Sequence, residues 1–150
     1  MDIKIKELTS KILEDDFPGF IETLSNLRPS NKLTLPKAKQ VLKQKKKCNH
    51  IVLVAILGKQ IAGIVTIIIE PKFIRNAGVS ALVEDLITRP GYEGKHIGSK
   101  LMNQAIKIAK KNKCYKMVLN SCDYNASFYE KFDFKKEELG MKLYLCRRCD

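Results

Sequence analysis

The fold of this chain is decided by the stretch Glu84-Asp85-Leu86-Ile87-Thr88-Arg89-Pro90-Gly91-Tyr92-Glu93-Gly94-Lys95-His96-Ile97-Gly98-Ser99-Lys100-Leu101. It predicts the end of a strand, a turn-rich loop, and the first turn of an amphipathic helix. The first N–H groups of a helix have no partner inside it and carry about half a positive charge, so they bind phosphate. Gly94 and Gly98 would let a polyanion approach this backbone, although ordinary strand-to-helix turns also use glycine.

Length and composition indicate a globular protein. The 150 residues, 45% of them hydrophobic, predict a single domain over residues 1–150 with a real core. The apolar stretch at 61–69 is too short to span a bilayer, and the N-terminus has no apolar signal region. Five cysteines without a regular spacing indicate reduced thiols. We therefore expect a cytoplasmic protein with no membrane partner.

The net charge of +12 permits an anionic partner. The densest basic run, at residues 43–47, lies at the end of a predicted helix, where lysines complement the helix dipole. The alternative is a nucleic-acid arm, but charge runs of this kind are usually solvated surface. We expect no nucleic-acid partner, while a small polyanionic substrate or cofactor would benefit from the positive field.

The hydrophobic pattern predicts the order of the elements. Residues 3–6 alternate as a half-buried strand, helices are expected at 17–27 and from 35 or 36 to 46, and 51–57 with 61–70 predict a hairpin buried on both faces. A strand at 79–88, a helix at 98–111, a strand at 113–120, a helix at 125–132 capped by Asn125 and a strand at 138–145 follow. This order predicts an α/β fold with a mixed central sheet flanked by helices.

Three segments, at 70–85, 92–101 and 125–131, together resemble the GNAT superfamily of acyl-coenzyme A N-acyltransferases. Within it, residues 17–145 are similar to the glucosamine 6-phosphate N-acetyltransferase family. The shared pieces are Ile-Glu-x-Lys-Phe-Ile from residue 69, Glu-Asp-Leu from 84, Cys-Tyr-Lys from 114 and Asn-x-x-Phe-Tyr-Glu-Lys from 125. The resemblance implies the GNAT fold and a homodimeric enzyme. It would transfer acetyl from acetyl-CoA to the amine of D-glucosamine 6-phosphate, giving N-acetylglucosamine 6-phosphate for UDP-N-acetylglucosamine synthesis.

The resemblance also implies how coenzyme A is held. The family's pyrophosphate loop reads Gln/Arg-x-x-Gly-x-Gly/Ala, and of residues 93–98 only the last fits it. Glu93 places a carboxylate near an anionic ligand, and His96 replaces a glycine, although His tolerates a positive φ better than most residues. The residues that the resemblance implies in cofactor binding are Leu86, Ile87, Thr88, Gly94, Lys95, His96, Ile97, Gly98, Ser99, Asn120 and Tyr129.

Amide formation from an amine and a thioester needs a neutral amine, a stabilised carbonyl oxygen and a proton for the leaving thiolate. The resemblance implies that Tyr129 donates to the thiolate and that the Asn120 carbonyl and Glu84 serve the amine. Adjacent strand residues point to opposite faces, so we expect only one of Glu84 and Asp85 to face the acceptor. The alternatives are that Tyr129 is a core aromatic and that both carboxylates merely balance lysines.

For the sugar phosphate, the resemblance implies a site built from several segments, one of which reaches the neighbour's site in a dimer. Its residues are Arg28, Lys72, Phe73, Ile74, Arg75, Glu84, Asp85, Leu86, Tyr115 and Lys116, with Arg147 as a further candidate.

Cys146 and Cys149 form a Cys-x-x-Cys motif at the end of the chain. A zinc site needs a second pair of closely spaced ligands, which neither the other cysteines nor the two histidines provide. We therefore expect no metal.

Two other functions remain open. One is a GNAT that acetylates another small amine or a protein N-terminus. The other is a non-catalytic basic module that binds coenzyme A or nucleic acid.

Overall fold

The structure, a computed structural model, describes residues 2–145. The chain divides into two compact units, Met1–Val118 and Leu119–Asp150. The single domain expected over residues 1–150 therefore stays a prediction. Cys146, Arg147 and Cys149, for which the sequence raised a metal site and a phosphate contact, lie outside the described residues.

The strands are β1 (Ile3–Glu7), β2 (His50–Leu57), β3 (Gln60–Pro71), β4 (Val79–Thr88) and β5 (Cys114–Leu119). The helices are α1 (Ser10–Asp15), α2 (Phe17–Ser25), α3 (Leu35–Lys47), the short turn α4 (Ile74–Ala77), α5 (Ile97–Lys111) and α6 (Asp123–Glu130).

The five strands form one sheet in sequence order, and β1 to β4 are antiparallel to their neighbours. The connection from β4 to β5 runs through α5, the crossover of a βαβ unit, which makes the sheet mixed. The central residues of β2 and β3 are buried on successive positions, so both faces of these strands are covered. The predicted α/β class and the doubly buried hairpin are confirmed.

The two faces of the sheet carry different helices. Helices α1 to α3 pack on one face, around a cluster formed by Leu8, Leu13, Phe20, Ala38, Leu42, Val52, Val54, Ile61 and Ile64. Helix α5 covers the other face with the buried side chains of Ile97, Leu101, Met102, Ala105 and Ala109. Apolar burial on both sides is the main stabilising contribution, at roughly 25 cal/mol per Å².

Side chains at the helix starts define two of these helices. The Thr9 hydroxyl accepts a hydrogen bond from the Ile12 N–H and caps α1, which the sequence did not predict because six residues are too few to show a helical period. Asp16 caps α2 by accepting from the Gly19 N–H at 3.1 Å. Its other carboxylate oxygen accepts from the Ile61 N–H at 2.7 Å, so one residue joins α2 to the start of β3.

The second unit departs from the sequence prediction in two places. Helix α6 begins at Asp123 with Cys122 at its N-cap, so the predicted cap at Asn125 is wrong. The strand predicted at 138–145 is also wrong, because these residues are irregular. Alternating Leu139, Met141 and Leu143 are more than four-fifths exposed. Alternation marks which side chains could share a face, but a strand also needs a neighbouring backbone to bond.

A glycine sets the distance between α5 and the sheet. A Cβ on Gly63 of β3 would lie 2.5 Å from Ile97 Cγ2 and 3.0 Å from both the Ile87 oxygen and Leu101 Cδ1. Helix α5 can therefore lie at its observed depth only because β3 has no side chain at this point.

We predict that Gly63→Ala lowers the free energy of unfolding by about 1–3 kcal/mol, because the added methyl group overpacks the helix–sheet contact. Urea denaturation measures this loss. In the double variant Gly63→Ala/Ile97→Ala the losses should be less than additive, since Ile97→Ala removes the closest atom. Fully additive losses would contradict the steric explanation.

Candidate active site

The loop between β4 and α5 is built from backbone conformations that favour glycine. Gly91 and Gly94 have φ of +81° and +74°, and His96, the N-cap of α5, has φ of +58°. His96 thus takes the left-handed conformation even though it replaces a glycine of the family pattern. Its side chain makes no capping hydrogen bond, and no other side chain of residues 2–145 accepts from the first N–H groups of α5.

The start of α5 presents free donors. The regular helix ladder begins with the Lys100 N–H, which donates to the His96 oxygen at 3.0 Å. Among residues 2–145, none accepts from the N–H groups of Ile97, Gly98 or Ser99. A Cβ on Gly94 would meet no atom within 4 Å, so the loop is open beside these donors. This arrangement can bind a phosphate through backbone N–H groups and the helix dipole.

The charges around the loop are mixed. Glu93 and Lys95 are both exposed, and within residues 2–145 Glu93 takes part in no ion pair. Lys95 Nζ lies 4.9 Å from the centre of the Tyr92 ring. The other cofactor candidates lie at the end of β4, where Ile87 is buried and the Thr88 oxygen accepts from Asn26 Nδ2 at 2.8 Å.

A β-bulge interrupts the pairing of β4 with β3 directly after Glu84. Ile64 pairs with Ile87 and Thr66 pairs with Glu84, so Asp85 and Leu86 stand opposite Val65 alone. Asp85 itself has φ of +54°. The regular alternation expected for the two carboxylates is therefore interrupted at this point, and the strand pattern does not decide which of them faces an acceptor.

Asp85 lines a cavity of about 190 Å³ between the helices α1 to α3 and the sheet. Its lining is mainly apolar, but Lys45 and Thr66 border it together with Asp85, and Lys45 Nζ lies 3.5 Å from Thr66 Oγ1. The sequence did not single out Lys45 or Thr66. Lys45 belongs to a basic run that predicts a solvated surface, and a threonine inside an apolar strand does not indicate a functional site.

The structure brings several of the predicted acceptor residues together around α4. Arg75 Cζ lies 5.7 Å from the centre of the Tyr115 ring, and Lys116 Nζ lies 6.0 Å from it. Lys72 forms an ion pair with Glu70, and its N–H donates to the Gly78 oxygen at 2.8 Å. The side chain of Phe73 is fully exposed.

The backbone of this segment is unusual. Arg75, Asn76 and Ala77 have φ of +57°, +53° and +59°, so three successive residues other than glycine are left-handed. Each such residue costs roughly 1–2 kcal/mol. Backbone strain of this kind clusters at binding and catalytic sites, where the surrounding structure maintains it.

The side chain of Arg28 contacts residues next to it in the sequence. Its guanidinium approaches only the Leu27 oxygen, at 3.5 Å, and its own oxygen accepts from Ser30 Oγ at 3.0 Å. Within residues 2–118, no hydrogen bond or ion pair joins Arg28 to Lys72 or Arg75. Its predicted part in phosphate binding stays a prediction.

The second unit contains Asn120 and Tyr129. The Tyr129 ring contacts Phe128 and Phe134 edge to face, with ring centres 5.1 and 6.1 Å apart. Burial, and to a lesser extent the Cys122 thiol, raises the pKa of Tyr129 above its usual value of 10.0. The phenol is protonated at neutral pH and can donate a proton, and its half-buried ring packs against two other aromatic rings.

The sequence did not predict the contacts that join the loop between β4 and α5 to the region of α2. Arg89 of the loop contacts Glu22 and Asp16 of the α2 region, and Tyr92 lies beside Arg89. The only signal in the sequence was an arginine directly before Pro90 and Gly91, since an ion pair between residues 67 positions apart leaves no local pattern.

No helix within residues 2–145 is both long and apolar enough to cross a membrane. In the same part of the chain, no three His, Cys, Asp or Glu side chains are grouped as a metal site.

Comparison with known proteins gives concordant matches. Residues 11–134 match the model of the acetyltransferase (GNAT) family. The glucosamine 6-phosphate N-acetyltransferase 1 of Dictyostelium discoideum is 32% identical over 136 residues, which cover 87% of this chain and 86% of that protein. The crystal structure of glucosamine-6-phosphate N-acetyltransferase from Arabidopsis thaliana matches with a TM-score of 0.90 at 26% identity, covering 97% of this chain and 100% of that one. An acetyltransferase of Trypanosoma brucei matches with a TM-score of 0.89 at 25% identity, covering 96% and 100%.

We predict opposite effects for two substitutions in the loop. Gly94→Ala should lower the free energy of unfolding by about 1–2 kcal/mol, because its φ is positive while its surroundings leave space for the methyl group. His96→Gly should not destabilise the protein, since relief of a similar strain outweighs the roughly 0.4–1 kcal/mol that glycine adds to the entropy of the unfolded chain. Urea denaturation of both variants checks this. A clear loss in His96→Gly would show that the imidazole makes contacts worth more than the strain.

Proposed function

Because the chain belongs to the acetyltransferase (GNAT) family, we propose that it is an acyltransferase that moves acetyl from acetyl-CoA to the amine of D-glucosamine 6-phosphate. The product is N-acetylglucosamine 6-phosphate. The observation that carries the choice of substrate is the match, over most of both chains, to relatives named for this reaction.

The loop before α5 supports the use of coenzyme A. The free N–H groups of Ile97, Gly98 and Ser99 and the open space beside Gly94 fit a pyrophosphate, and Lys95 supplies positive charge. Acetyl-CoA, when bound, supplies the activated thioester. The protein's part is to hold the pyrophosphate and to keep the thioester in a fixed place for attack.

Two residues of the second unit have proposed roles in proton transfer and orientation. Tyr129 donates its proton to the departing thiolate, a role supported by a phenol that is protonated at neutral pH and held in place by the Phe128 and Phe134 rings. The backbone carbonyl of Asn120 accepts a hydrogen bond from the attacking amine.

Glu84 of β4 assists on the acceptor side, either directly or through water.

The acceptor site is proposed to include the segment from Lys72 to Arg75. The Arg75 guanidinium, held over the Tyr115 ring, presents a planar pair of donors suited to a phosphate. In the proposed homodimer, Tyr115 and Lys116 reach the neighbour's sugar site.

The proposed location is the cytoplasm, and the product would feed UDP-N-acetylglucosamine synthesis.

The nucleic-acid alternative is weakened by the contacts of α3. Lys39 pairs with Glu14, Lys46 lies 3.6 Å from Glu7, and Lys45 points to Thr66, so part of the basic surface is already neutralised or engaged. A GNAT acting on another small amine shares the same cofactor site and differs only in the acceptor.

One experiment separates these alternatives. The purified protein is incubated with acetyl-CoA and a panel of amines while release of free thiol is followed. Stimulation by glucosamine 6-phosphate but not by glucosamine is the expected result. Stimulation only by other amines would overturn the choice of substrate, and no thiol release with any amine would favour a binding module.

We predict that Tyr129→Phe lowers kcat by about 10²–10⁴-fold with little change in KM, because the ring still packs while the proton donor is lost. Steady-state kinetics measure both constants. Tyr124→Phe is the matched control, since Tyr124 lies on the same helix and its ring is exposed. A Tyr129→Phe enzyme with full turnover would show that this tyrosine is structural.

We also predict that Lys72→Gln, Arg75→Gln and Arg28→Gln each weaken binding of glucosamine 6-phosphate by about tenfold, the cost of losing one charged hydrogen bond to phosphate. The measurement is KM with phosphorylated and unphosphorylated sugar, and the exposed Lys37→Gln serves as the control. Binding of glucosamine should change little. Normal constants in all three variants would rule out these cations as phosphate ligands.

A further inference from the structure

Arg89 directly follows β4, and its side chain is only 13% exposed. Its Nε donates to Glu22 Oε2 at 3.0 Å, and its Nη2 donates to the same oxygen. Its Nη1 lies 3.4 Å from the Ile61 oxygen and 3.7 Å from Asp16 Oδ2. All three nitrogens of the guanidinium are therefore engaged by protein oxygens, and Arg89 is not free to serve as a phosphate ligand.

Tyr92 continues this contact into the loop. Its ring lies 5.6 Å from Arg89 Cζ and 4.9 Å from Lys95 Nζ. Its hydroxyl donates to Gln60 Oε1, and its N–H donates to the Arg89 oxygen at 3.1 Å. The Tyr92 ring thus lies close to both cations, and each cation–π contact contributes about 0.5–2 kcal/mol.

The loop has few other supports. Residues 93–96 are exposed, and Gly91, Gly94 and His96 have positive φ. No side chain in the described part of the chain caps α5. At the other end of the contact, Asp16 and Glu22 belong to the start and the body of α2, which is packed in the core. Arg89 and Tyr92 therefore connect an exposed loop to a rigid helix and to the hairpin of β2 and β3.

We propose that Arg89, acting with Tyr92, is a positioning residue for cofactor binding: it fixes the loop on Glu22 and Asp16 so that the N–H groups at the start of α5 and the Lys95 ammonium are held ready for the pyrophosphate. This role rests on the proposed function. A loop that is ordered before the ligand arrives binds it more tightly, because the ordering entropy has been lost in advance.

The charge of Arg89 is constant over the working range of pH. Its hydrogen bond to Glu22 raises the pKa of the guanidinium above an already high value. Its two carboxylate partners outweigh its single positive charge, so the cluster itself does not attract an anionic cofactor, and that attraction comes from Lys95 and the start of α5.

The test compares Arg89→Lys, Glu22→Gln and their double variant with Lys11→Gln, which removes an exposed ion pair to Asp15 elsewhere. Lysine keeps the charge but cannot bridge Glu22 and the Ile61 oxygen together. Each variant is assayed with acetyl-CoA and with S-acetyl-pantetheine, which lacks the pyrophosphate. Amide hydrogen exchange at residues 91–99 is measured in the protein without ligand.

We expect KM for acetyl-CoA to rise about tenfold in Arg89→Lys, with kcat unchanged and the reaction with S-acetyl-pantetheine unaffected. The rise in KM for acetyl-CoA should be no larger in the double variant than in Arg89→Lys alone, because the two residues act in one contact. Exchange at residues 91–99 should accelerate, and Lys11→Gln should behave as wild type.

Equal losses with both acyl donors would overturn this role, since they would indicate a general folding defect. Normal KM and normal exchange in Arg89→Lys would overturn it as well. A wild-type protein that fails to bind acetyl-CoA in calorimetry would overturn the proposed function and this role together. If the wild-type protein binds acetyl-CoA and the variants have the same KM and the same exchange rates, this role alone would be overturned.

Discussion

The close contact between α5 and β3 is the constraint on which the proposed phosphate site depends. Because Gly63 has no side chain, Ile97 and Leu101 reach the sheet and fix the depth and direction of the helix. Ile97 is the first residue of α5, so the same contact fixes the donors at the helix start. The core and the proposed cofactor site are therefore not independent, because one packing interaction sets the geometry of both.

Much of this fold could be predicted from local patterns. The apolar runs of β2 and β3 and the stripe of α5 carry strong periodicity, and the glycines before α5 mark the loop. Two kinds of feature could not be predicted. The β-bulge at Asp85 arises from pairing with β3, and the contact of Arg89 with Glu22 joins distant segments, so neither leaves a local pattern. The strand expected at 138–145 shows the opposite error, a pattern without a partner strand.

The candidate site was predicted mainly by resemblance, and the structure adds the physical reasons for some of it. His96 could be suspected of distorting the loop, yet its backbone takes the conformation of the glycine it replaces. Tyr129 could be read as a core aromatic or as a proton donor, and its packing and raised pKa are compatible with both. Residue type narrows the chemistry, while only tertiary contacts show which side chains remain available for it.

The left-handed segment at Arg75, Asn76 and Ala77 has a consequence for the response to heat. Its conformation is unfavourable at each of the three residues, and the neighbouring Phe73 is fully exposed and adds no packing. Local opening requires least energy where buried contacts are few. On warming, this segment should therefore loosen before the sheet and α5 do. In the proposed acceptor site, discrimination between acceptors would then decline at temperatures where the sheet and α5 are still folded.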